Sequence, residues 1–238
     1  MIDRIKVRLF LGILFSCFFG SLMAQNTDLA EGDSLFLEQK YTEAYDKYRA
    51  LFQNDQASAA MLLKMAFIQD GLGNYTEALY FLDKYYRMSA DRNVVGKIGE
   101  LSEANDLSGY SYDDTDYFLA LLEKYQLHFT LLLSAIMIML SVYIFQKSKD
   151  KEKPIAAGII QLIVILCLFA VLNMKAPPKA IVVSNNTLLR SGPSAGAEPI
   201  DMLSKGHKVK VLKRDEVWTQ ILWDGREVYV RNGKLRLI

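Results

Sequence analysis

Two long runs without a charged residue constrain this chain more than any other feature. The first covers residues 127–145 and the second covers residues 155–173. An α-helix of either length can cross the apolar core of a bilayer, which is about 30 Å thick. The sequence therefore predicts two transmembrane helices, each flanked by a region that folds outside the membrane.

The short connection between these runs, residues 146–154, determines the expected topology. It carries four lysines against two acidic residues, and an excess of lysine in a short loop marks the cytoplasmic side. Both flanking regions are then expected on the opposite side of the membrane. Gln161, inside the second run, is able to hydrogen-bond to another membrane helix, although a plain two-helix anchor needs no such bond.

The first 24 residues predict a secretory signal peptide. Residues 1–8 carry three basic side chains, residues 9–19 are mostly apolar, and small residues lead to Ala24. This order is typical of a signal peptide that is cleaved after a small residue. A lipid-modified Cys17 and an uncleaved N-terminal anchor are the two alternatives. All three place the region that follows outside the cytoplasm.

A near repeat predicts helical hairpins in the first flank. Residues 40–45, Lys-Tyr-Thr-Glu-Ala-Tyr, recur 34 positions later as residues 74–79, Asn-Tyr-Thr-Glu-Ala-Leu. This period is typical of helix–turn–helix units that bury their apolar faces by stacking. With these motifs the chain resembles the tetratricopeptide repeat family over roughly residues 25–92. We expect a repeat domain over residues 25–106, capped by a third helix, and a helical linker over residues 107–126. The helix that continues into the first apolar run is expected to begin near Thr115, with Asp114 or Thr115 as its cap.

The resemblance to this family implies a concave peptide-binding groove lined by the first helix of each repeat. By position, the candidate protein-binding residues are Asn26, Leu29, Asp33, Phe36, Leu63, Phe67 and Asp70. The alternative is that two repeats and a cap are too few for a groove. They would then only pack against another protein or another copy of the chain.

The second flank, residues 174–238, has the pattern of β structure. Lysine and valine alternate over residues 208–211, as in a half-buried strand, and Asp224-Gly225 predicts a hairpin turn. Several short strands separated by turn signals predict a small β-barrel.

Two motifs in this flank resemble the bacterial SH3 domain. They are Leu-Leu-Arg-Ser-Gly-Pro-Ser at residues 188–194 and Lys-Gly-His-Lys-Val at residues 205–209, followed by a tryptophan. The resemblance implies binding of cell-wall peptides or of other proteins. Its candidate ligand-binding residues are Arg190, Ser191, Trp218 and Tyr229. The alternative is that the arginine and serine only hold a loop and the tryptophan half-covers the core.

Charge is divided between the two flanks. Residues 25–126 contain 9 Lys and Arg against 18 Asp and Glu, a formal charge of −9, whereas residues 174–238 contain 12 against 6, a formal charge of +6. Flanks of opposite charge on one membrane face can dock on each other or on neighbouring proteins. A basic domain is also attracted to anionic lipid. The simpler alternative is two ordinary solvated surfaces.

The chain lacks a recognisable catalytic or metal-binding pattern. Its two histidines, His128 and His207, are far apart in sequence, and so are its two cysteines, Cys17 and Cys167. A zinc site and a disulfide framework are therefore not expected, and no glycine-rich phosphate loop is present. We predict a protein that is not an enzyme and needs no cofactor or metal. The net charge of +1 gives no reason to expect nucleic acid as a partner.

The sequence as a whole predicts a multidomain membrane protein with α-helical tetratricopeptide repeats, two transmembrane helices and a small all-β SH3-like barrel. This order resembles the BatE-like proteins of the Bat (aerotolerance) operons of Bacteroidota. The resemblance implies a periplasmic scaffold in the bacterial inner membrane, with von Willebrand factor A-type Bat proteins as partners and a cytoplasmic MoxR-type ATPase. Three hypotheses follow: a scaffold for envelope proteins, an anchor that binds peptidoglycan peptides, or a membrane signalling element.

Overall fold

The computed structural model describes residues 27–149 and 154–238. The predicted signal peptide, Cys17 and the candidate binding residue Asn26 lie outside the described residues. The chain divides into two compact units, of which the first ends at Gln56 and the second covers Ala57–Ile238. Each unit is described by itself.

The first unit contains the helices α1 (Thr27–Leu37) and α2 (Tyr41–Gln53), which pack as a hairpin. Tyr48 of α2 is fully buried, and its hydroxyl donates a hydrogen bond of 2.7 Å to Asp33 of α1. Burial and the neighbouring carboxylate both raise the pKa of Tyr48. A Cβ atom at Gly32 would lie 2.8 Å from the Tyr48 ring, so glycine allows the two helices to approach closely.

The helical part of the second unit begins with α3 (Ala59–Gly71), α4 (Tyr75–Ser89) and α5 (Asn93–Glu103). Ser58 caps α3 by accepting a hydrogen bond from the backbone N–H of Met61, as preferred helix-capping residues do. Ala78 on α4, from the repeated motif, is fully buried, which matches the close approach that a small side chain permits.

The two hairpin turns have the same backbone shape although their residues differ. Gln39 and Gly73 both adopt a left-handed conformation, with φ of 62° and 74°, at positions 34 residues apart. Glycine takes this conformation without steric cost, whereas other residues generally do not. The helices that follow begin at Tyr41 and Tyr75, so the 34-residue repeat in sequence is also a repeat in helical structure.

Two longer helices follow, α6 (Asp114–Lys149) and α7 (Ile155–Asn173), and both are long and apolar enough to cross a membrane. They pack on each other as a hairpin. The Gln126 side-chain amide donates to the backbone oxygen of Val171 at 3.2 Å, and the Gln161 amide donates to the Ser141 hydroxyl at 3.0 Å. The segment 107–113 ahead of α6 is not helical, so helix occupies only part of the predicted linker.

The second flank is a seven-stranded antiparallel β domain. Its strands are β1 (Lys179–Val182), β2 (Thr187–Arg190), β3 (Pro199–Leu203), β4 (Lys208–Arg214), β5 (Trp218–Trp223), β6 (Arg226–Arg231) and β7 (Leu235–Leu237). Their order across the sheet is β3-β2-β6-β5-β4-β1-β7. Asp224 and Gly225 form the β5–β6 turn, both with positive φ, as a tight hairpin requires.

Candidate binding site

The β domain has an inner face that forms its core and an outer face that points the other way. The inner side chains make one apolar cluster, which includes Leu189, Ile221, Val228 and Val230. Because successive side chains of a strand point to opposite faces, the residues between these positions lie on the outer face. Every candidate ligand-binding position on a strand belongs to that outer face.

One part of the outer face, called the docked patch here, consists of Lys179, Ile181, Lys208 and Arg236. Ile181 is paired with Lys208 on one side and with Arg236 on the other, so these three residues form a row across β4, β1 and β7. Ile181 points away from the core cluster and is nevertheless fully buried. Other parts of the second unit therefore cover this patch.

The centre of the docked patch is a buried ion pair between Lys208 and Asp83 of helix α4. The Lys208 Nζ atom lies 2.5 Å from an Asp83 carboxylate oxygen, and the two side chains are only 1% and 3% exposed. The hydroxyl of Tyr112 donates to the same Asp83 oxygen and accepts a hydrogen bond of 3.0 Å from Lys208. Lys208 also lies over the Tyr112 ring, 4.3 Å from its centre.

Burial controls the protonation of this cluster. It lowers the pKa of Lys208, while the Asp83 carboxylate opposes that change. The pKa of Tyr112 is raised because burial and the Asp83 charge both disfavour the phenolate. Since removing one member of a buried pair leaves an uncompensated charge, Asp83, Tyr112 and Lys208 are expected to behave as one unit.

A second ion pair, between Glu77 and Arg236, joins helix α4 to strand β7. The Arg236 guanidinium lies 2.6 and 2.7 Å from the two Glu77 carboxylate oxygens and stacks on the Tyr80 ring at 3.7 Å. Both charged side chains are about one third exposed. Arg87 of the same helix donates a hydrogen bond of 2.5 Å to the backbone oxygen of Ile238.

The segment 107–113 packs along the start of β4. The Lys208 N–H donates to the Ser108 oxygen at 3.0 Å, and the Ser108 N–H donates to His207 Nδ1 at 3.1 Å. Tyr110 donates to the Gly206 oxygen at 2.6 Å. At Gly109, with φ of 93°, a Cβ atom would lie 1.9 Å from the Lys208 oxygen, so only glycine fits there.

Lys179, the remaining residue of the docked patch, contacts the N-terminal end of helix α6. Its Nζ atom lies 2.7 Å from an Asp116 carboxylate oxygen. Each cation of the docked patch therefore meets a carboxylate from the acidic flank, in agreement with the docking alternative raised by the charge division. The sequence did not indicate this role for Asp83, Tyr112 or Lys208, because Asp83 and Lys208 are 125 positions apart and no local pattern links them.

The remaining part of the outer face is called the open patch here. It consists of residues on β2, β3, β5 and β6: Leu188, Arg190, Met202, Trp218, Gln220, Tyr229 and Arg231. Arg190 is paired with Tyr229, Tyr229 with Gln220, and Trp218 with Arg231. Trp218 and Tyr229 are therefore diagonal neighbours, about 7 Å apart. The structure thus brings together three of the four residues suggested by the SH3 resemblance.

Arg190 holds the loop that follows β2, which is one of the two roles considered from the sequence. Its Nη1 atom donates a hydrogen bond of 2.7 Å to the Ala197 oxygen, which holds the loop between β2 and β3. The guanidinium has five N–H donors in all, so this bond leaves others for a ligand. Ser191 is exposed just beyond β2, with its N–H bonded to the Glu198 oxygen.

A groove of about 820 Å³ lies beside the docked patch. Its walls come from the segment that leads into α6, from strands β4 and β5, and from the β5–β6 turn. They include Ser111, Asp113, Lys210, Trp223 and Asp224. The Trp223 ring also makes an edge contact with His207 at 5.3 Å. The groove therefore combines an aromatic wall with charges of both signs.

The candidate protein-binding residues of the helical flank lie on two helices, α1 and α3. Leu29, Asp33 and Phe36 lie on α1, where Asp33 accepts the Tyr48 hydrogen bond and Phe36 makes an edge contact with Tyr41 at 5.4 Å. These two side chains stabilise the first hairpin.

Leu63, Phe67 and Asp70 lie at helical spacing on α3. The two apolar side chains are 41% and 58% exposed, and Asp70 forms an ion pair of 3.1 Å with Lys97 of α5. The exposed part of α3 is therefore a second surface, separate from the β domain, that a protein partner can contact.

Comparison with known proteins identifies the second flank. Residues 186–235 match the family model described as bacterial SH3 domain, which confirms that prediction for the C-terminal domain. No curated protein matches the chain. All of the open patch falls within the matched residues, whereas Asp83 and Tyr112 of the docked interface lie outside them. A bacterial SH3 domain suggests binding of proteins or of peptidoglycan peptides.

Proposed function

We propose that this protein is a membrane-anchored, non-catalytic scaffold that presents the open patch of its bacterial SH3 domain to partner proteins. The observation that carries the proposal is the division of the outer face. One patch of the domain is occupied by the acidic helices of the same chain, while the open patch keeps its aromatic and arginine side chains accessible.

The membrane anchor is proposed from helices α6 and α7. If both helices cross the inner membrane, the helical flank and the β domain lie on one side, because the chain enters by one helix and returns by the other. The contact between Gln126 and Val171 is what a hairpin of this kind requires. The buried Asp83–Lys208 pair also requires both flanks to share one compartment. The lysine-rich loop and the predicted signal peptide favour the periplasm as that compartment.

The partner class is proposed from the composition of the open patch. Tryptophan, tyrosine and arginine dominate the binding energy of protein interfaces, and here Trp218, Tyr229 and Arg231 are neighbours on two paired strands. The Bat-type assembly, with partners that carry von Willebrand factor A domains, is the most specific form of this proposal. It rests on the resemblance in domain order, including the tetratricopeptide-like hairpins.

The test is co-purification of partners with the full chain from detergent-solubilised membranes, read by mass spectrometry. Trp218→Ala removes the largest side chain of the open patch. Phe67→Ser alters the exposed surface of α3 instead. Deleting the whole helical region would be less informative, because that deletion also removes Asp83 and uncovers the docked patch.

The proposal predicts that Trp218→Ala removes specific membrane partners while the protein stays folded. Loss of the same partners in Phe67→Ser alone would transfer the docking role to the helices. An unchanged partner list in both variants would contradict the scaffold proposal.

A second candidate function is binding of peptidoglycan peptides, and the groove beside the docked patch favours it. A stem peptide carries both amino and carboxylate groups, and the groove offers Asp113, Asp224 and Lys210 beside the Trp223 ring. Sedimentation with purified peptidoglycan tests this function. Because Trp223 also packs against the core of the domain, binding that is lost in Trp223→Ala at an unchanged unfolding temperature and kept in Trp218→Ala would support it.

A further inference from the structure

We infer that the open patch binds a segment of a partner protein that is rich in aspartate and glutamate and also carries apolar side chains. The inference rests on the proposed function, since it names the chemistry of the partner that the same surface takes. It is supported by three features of the outer face: its charge, its apolar side chains, and the way the domain already docks on its own chain.

The charge of the open patch is positive and largely unopposed. Arg190 and Arg231 lie on its two central strands, and within the described residues neither makes an ion pair. The acidic residue at an outer-face position of β6 is Glu227, which accepts a hydrogen bond of 2.8 Å from Gln220. A carboxylate that approaches this patch therefore meets two arginines without a competing acidic partner.

Arginine at these positions is suited to carboxylates in particular. A guanidinium can bind a carboxylate through two parallel hydrogen bonds, which adds both energy and directional preference. The bond from Arg190 to the Ala197 oxygen holds this guanidinium in one orientation before the ligand arrives. Preorganisation of this kind lowers the entropic cost of binding.

The apolar side chains of the open patch define the rest of the partner. Leu188 and Met202 are cross-strand partners and are 40% and 53% exposed, and Trp218 and Tyr229 lie on the neighbouring strands. Aromatic residues, methionine and arginine are enriched where protein interfaces are fully buried. A partner that carries only acidic groups would leave this apolar area in water.

The docked patch shows what the same face accepts within this molecule. There, Lys179, Lys208 and Arg236 each contact a carboxylate, from Asp116, Asp83 and Glu77. Arg236 also stacks on an aromatic ring beside its acid. The ligand of the docked patch is thus an acidic surface with aromatic side chains, and charge complementarity predicts a similar ligand for the open patch.

The experiment selects ligands without assuming their sequence. A phage-displayed library of random twelve-residue peptides is panned on the full chain in lipid nanodiscs, and the selected peptides are sequenced. The dissociation constant of the best peptide is then measured by fluorescence anisotropy at low and physiological salt. The variants are Arg231→Glu and, as the matched control, Arg226→Glu.

The control variant changes the same charge on the same strand. Arg231 is on the outer face and paired with Trp218, whereas Arg226 is an exposed residue five positions earlier, on the opposite side of the strand, paired with Trp223. Among the described residues neither arginine side chain has a hydrogen bond or an ion pair, so both variants are expected to fold. Equal thermal unfolding temperatures would verify this.

We expect acidic residues to be at least about twofold more frequent in the selected peptides than in the library, and their binding to weaken with salt. Arg231→Glu should weaken binding by about tenfold or more, whereas Arg226→Glu should change it less than about twofold. Selection of neutral or basic peptides that still require Trp218 would overturn the inference and leave the proposed function intact.

Other outcomes would overturn the proposed function as well. One is that no peptide binds better to the wild-type chain than to Trp218→Ala. Two more controls use purified peptidoglycan and vesicles of anionic phospholipid. If either is bound by the wild-type chain, is lost in Arg231→Glu, and displaces the selected peptides, the open patch is a wall-binding or lipid-binding surface and not a protein-binding one.

Discussion

The docked patch and the open patch lie on one face of one β domain and both combine cationic with apolar side chains, yet only the docked patch is covered by the same chain. In the docked patch, cations meet acids of the same chain, and Ile181 is fully buried between them. In the open patch, arginines are next to the partly exposed rings of Trp218 and Tyr229 and to the exposed Leu188 and Met202. The comparison indicates that a surface patch stabilises the fold when the same chain covers it. A patch that is not covered stays available to a partner.

The largest expected effect is the loss of one member of the buried pair. Asp83→Ala leaves Lys208 buried without its carboxylate, which should lower the free energy of unfolding by about 3–5 kcal/mol. Lys213→Ala, which removes the exposed pair between Lys213 and Asp215, should cost less than about 1 kcal/mol. Denaturant unfolding of the detergent-solubilised chain measures both. Equal effects would show that the docked patch is not structural.

A double variant separates the charge from the packing. Asp83→Leu combined with Lys208→Met replaces the buried pair by apolar side chains, and such replacements are often neutral or stabilising. We therefore expect the double variant to be more stable than Asp83→Ala in the same unfolding experiment. A double variant as unstable as the single one would mean that the charges themselves are required, for example through Tyr112.

The next largest effect is expected at Gly109, where the segment ahead of α6 touches β4. Gly109→Ala should destabilise the protein by about 2–3 kcal/mol, because it forces both a left-handed alanine and a clash with the Lys208 oxygen. Gly225→Ala is the control, since Gly225 also has positive φ but nothing within 4 Å of its Cβ position. It should cost about 1 kcal/mol. Equal losses would argue against the close contact at Gly109.

A smaller effect is expected at the partly exposed pair of the docked patch. Glu77→Gln keeps the shape of the side chain and removes the charge that faces Arg236, which should cost about 1–2 kcal/mol. Arg231→Glu in the open patch should change stability by no more than about 0.5 kcal/mol while weakening partner binding. Thermal unfolding of the two variants compares the patches directly. If Arg231→Glu lowered the stability as much as Glu77→Gln, the distinction between a structural docked patch and an accessible open patch would be contradicted.

The smallest effect is a pH dependence at the edge of the docked patch. Burial lowers the pKa of His207 below its ordinary value of 6.5, and its Nδ1 atom accepts a hydrogen bond from Ser108. The unfolded chain therefore takes up a proton at a higher pH than the folded protein does. The stability that neutral His207 contributes is complete above pH 6.5 and is lost as pH falls through the lowered pKa.

The measurement is the unfolding midpoint between pH 7.5 and pH 5, compared with His207→Asn. Asparagine offers an acceptor oxygen that does not titrate, so this variant should lose the part of the pH dependence that comes from His207. An identical pH profile in the two proteins would show that the histidine contributes nothing to the docked interface.

Local patterns predicted much of the architecture. The 34-residue spacing of Tyr41 and Tyr75 predicted two helix starts, because helix boundaries depend on nearby turn residues and on a local apolar period. The alternation of residues 208–211 and the Asp224-Gly225 turn predicted strands and a hairpin for the same reason. The bacterial SH3 motifs located Arg190, Trp218 and Tyr229 on what proved to be one face.

Such local patterns could not predict the docked interface. Asp83 looks like any acid on a solvated helix, and Lys208 looks like the polar half of a strand alternation. The sequence showed only that the flanks carry opposite charges, without indicating which charges meet. The helix of the linker was expected to begin near Thr115, but nothing in the sequence indicated that the segment 107–113 bonds to residues 207 and 208.

The sequence by itself determined where helices and strands form, which runs are apolar enough for a membrane, and which motifs of the C-terminal flank are those of a bacterial SH3 domain. Only the tertiary structure decided which part of the outer face of the β domain is covered. The physical reason is that periodicity and turn chemistry act between residues a few positions apart. The burial of a charge, in contrast, depends on a partner such as Asp83 that the fold brings to Lys208 from a distant part of the chain.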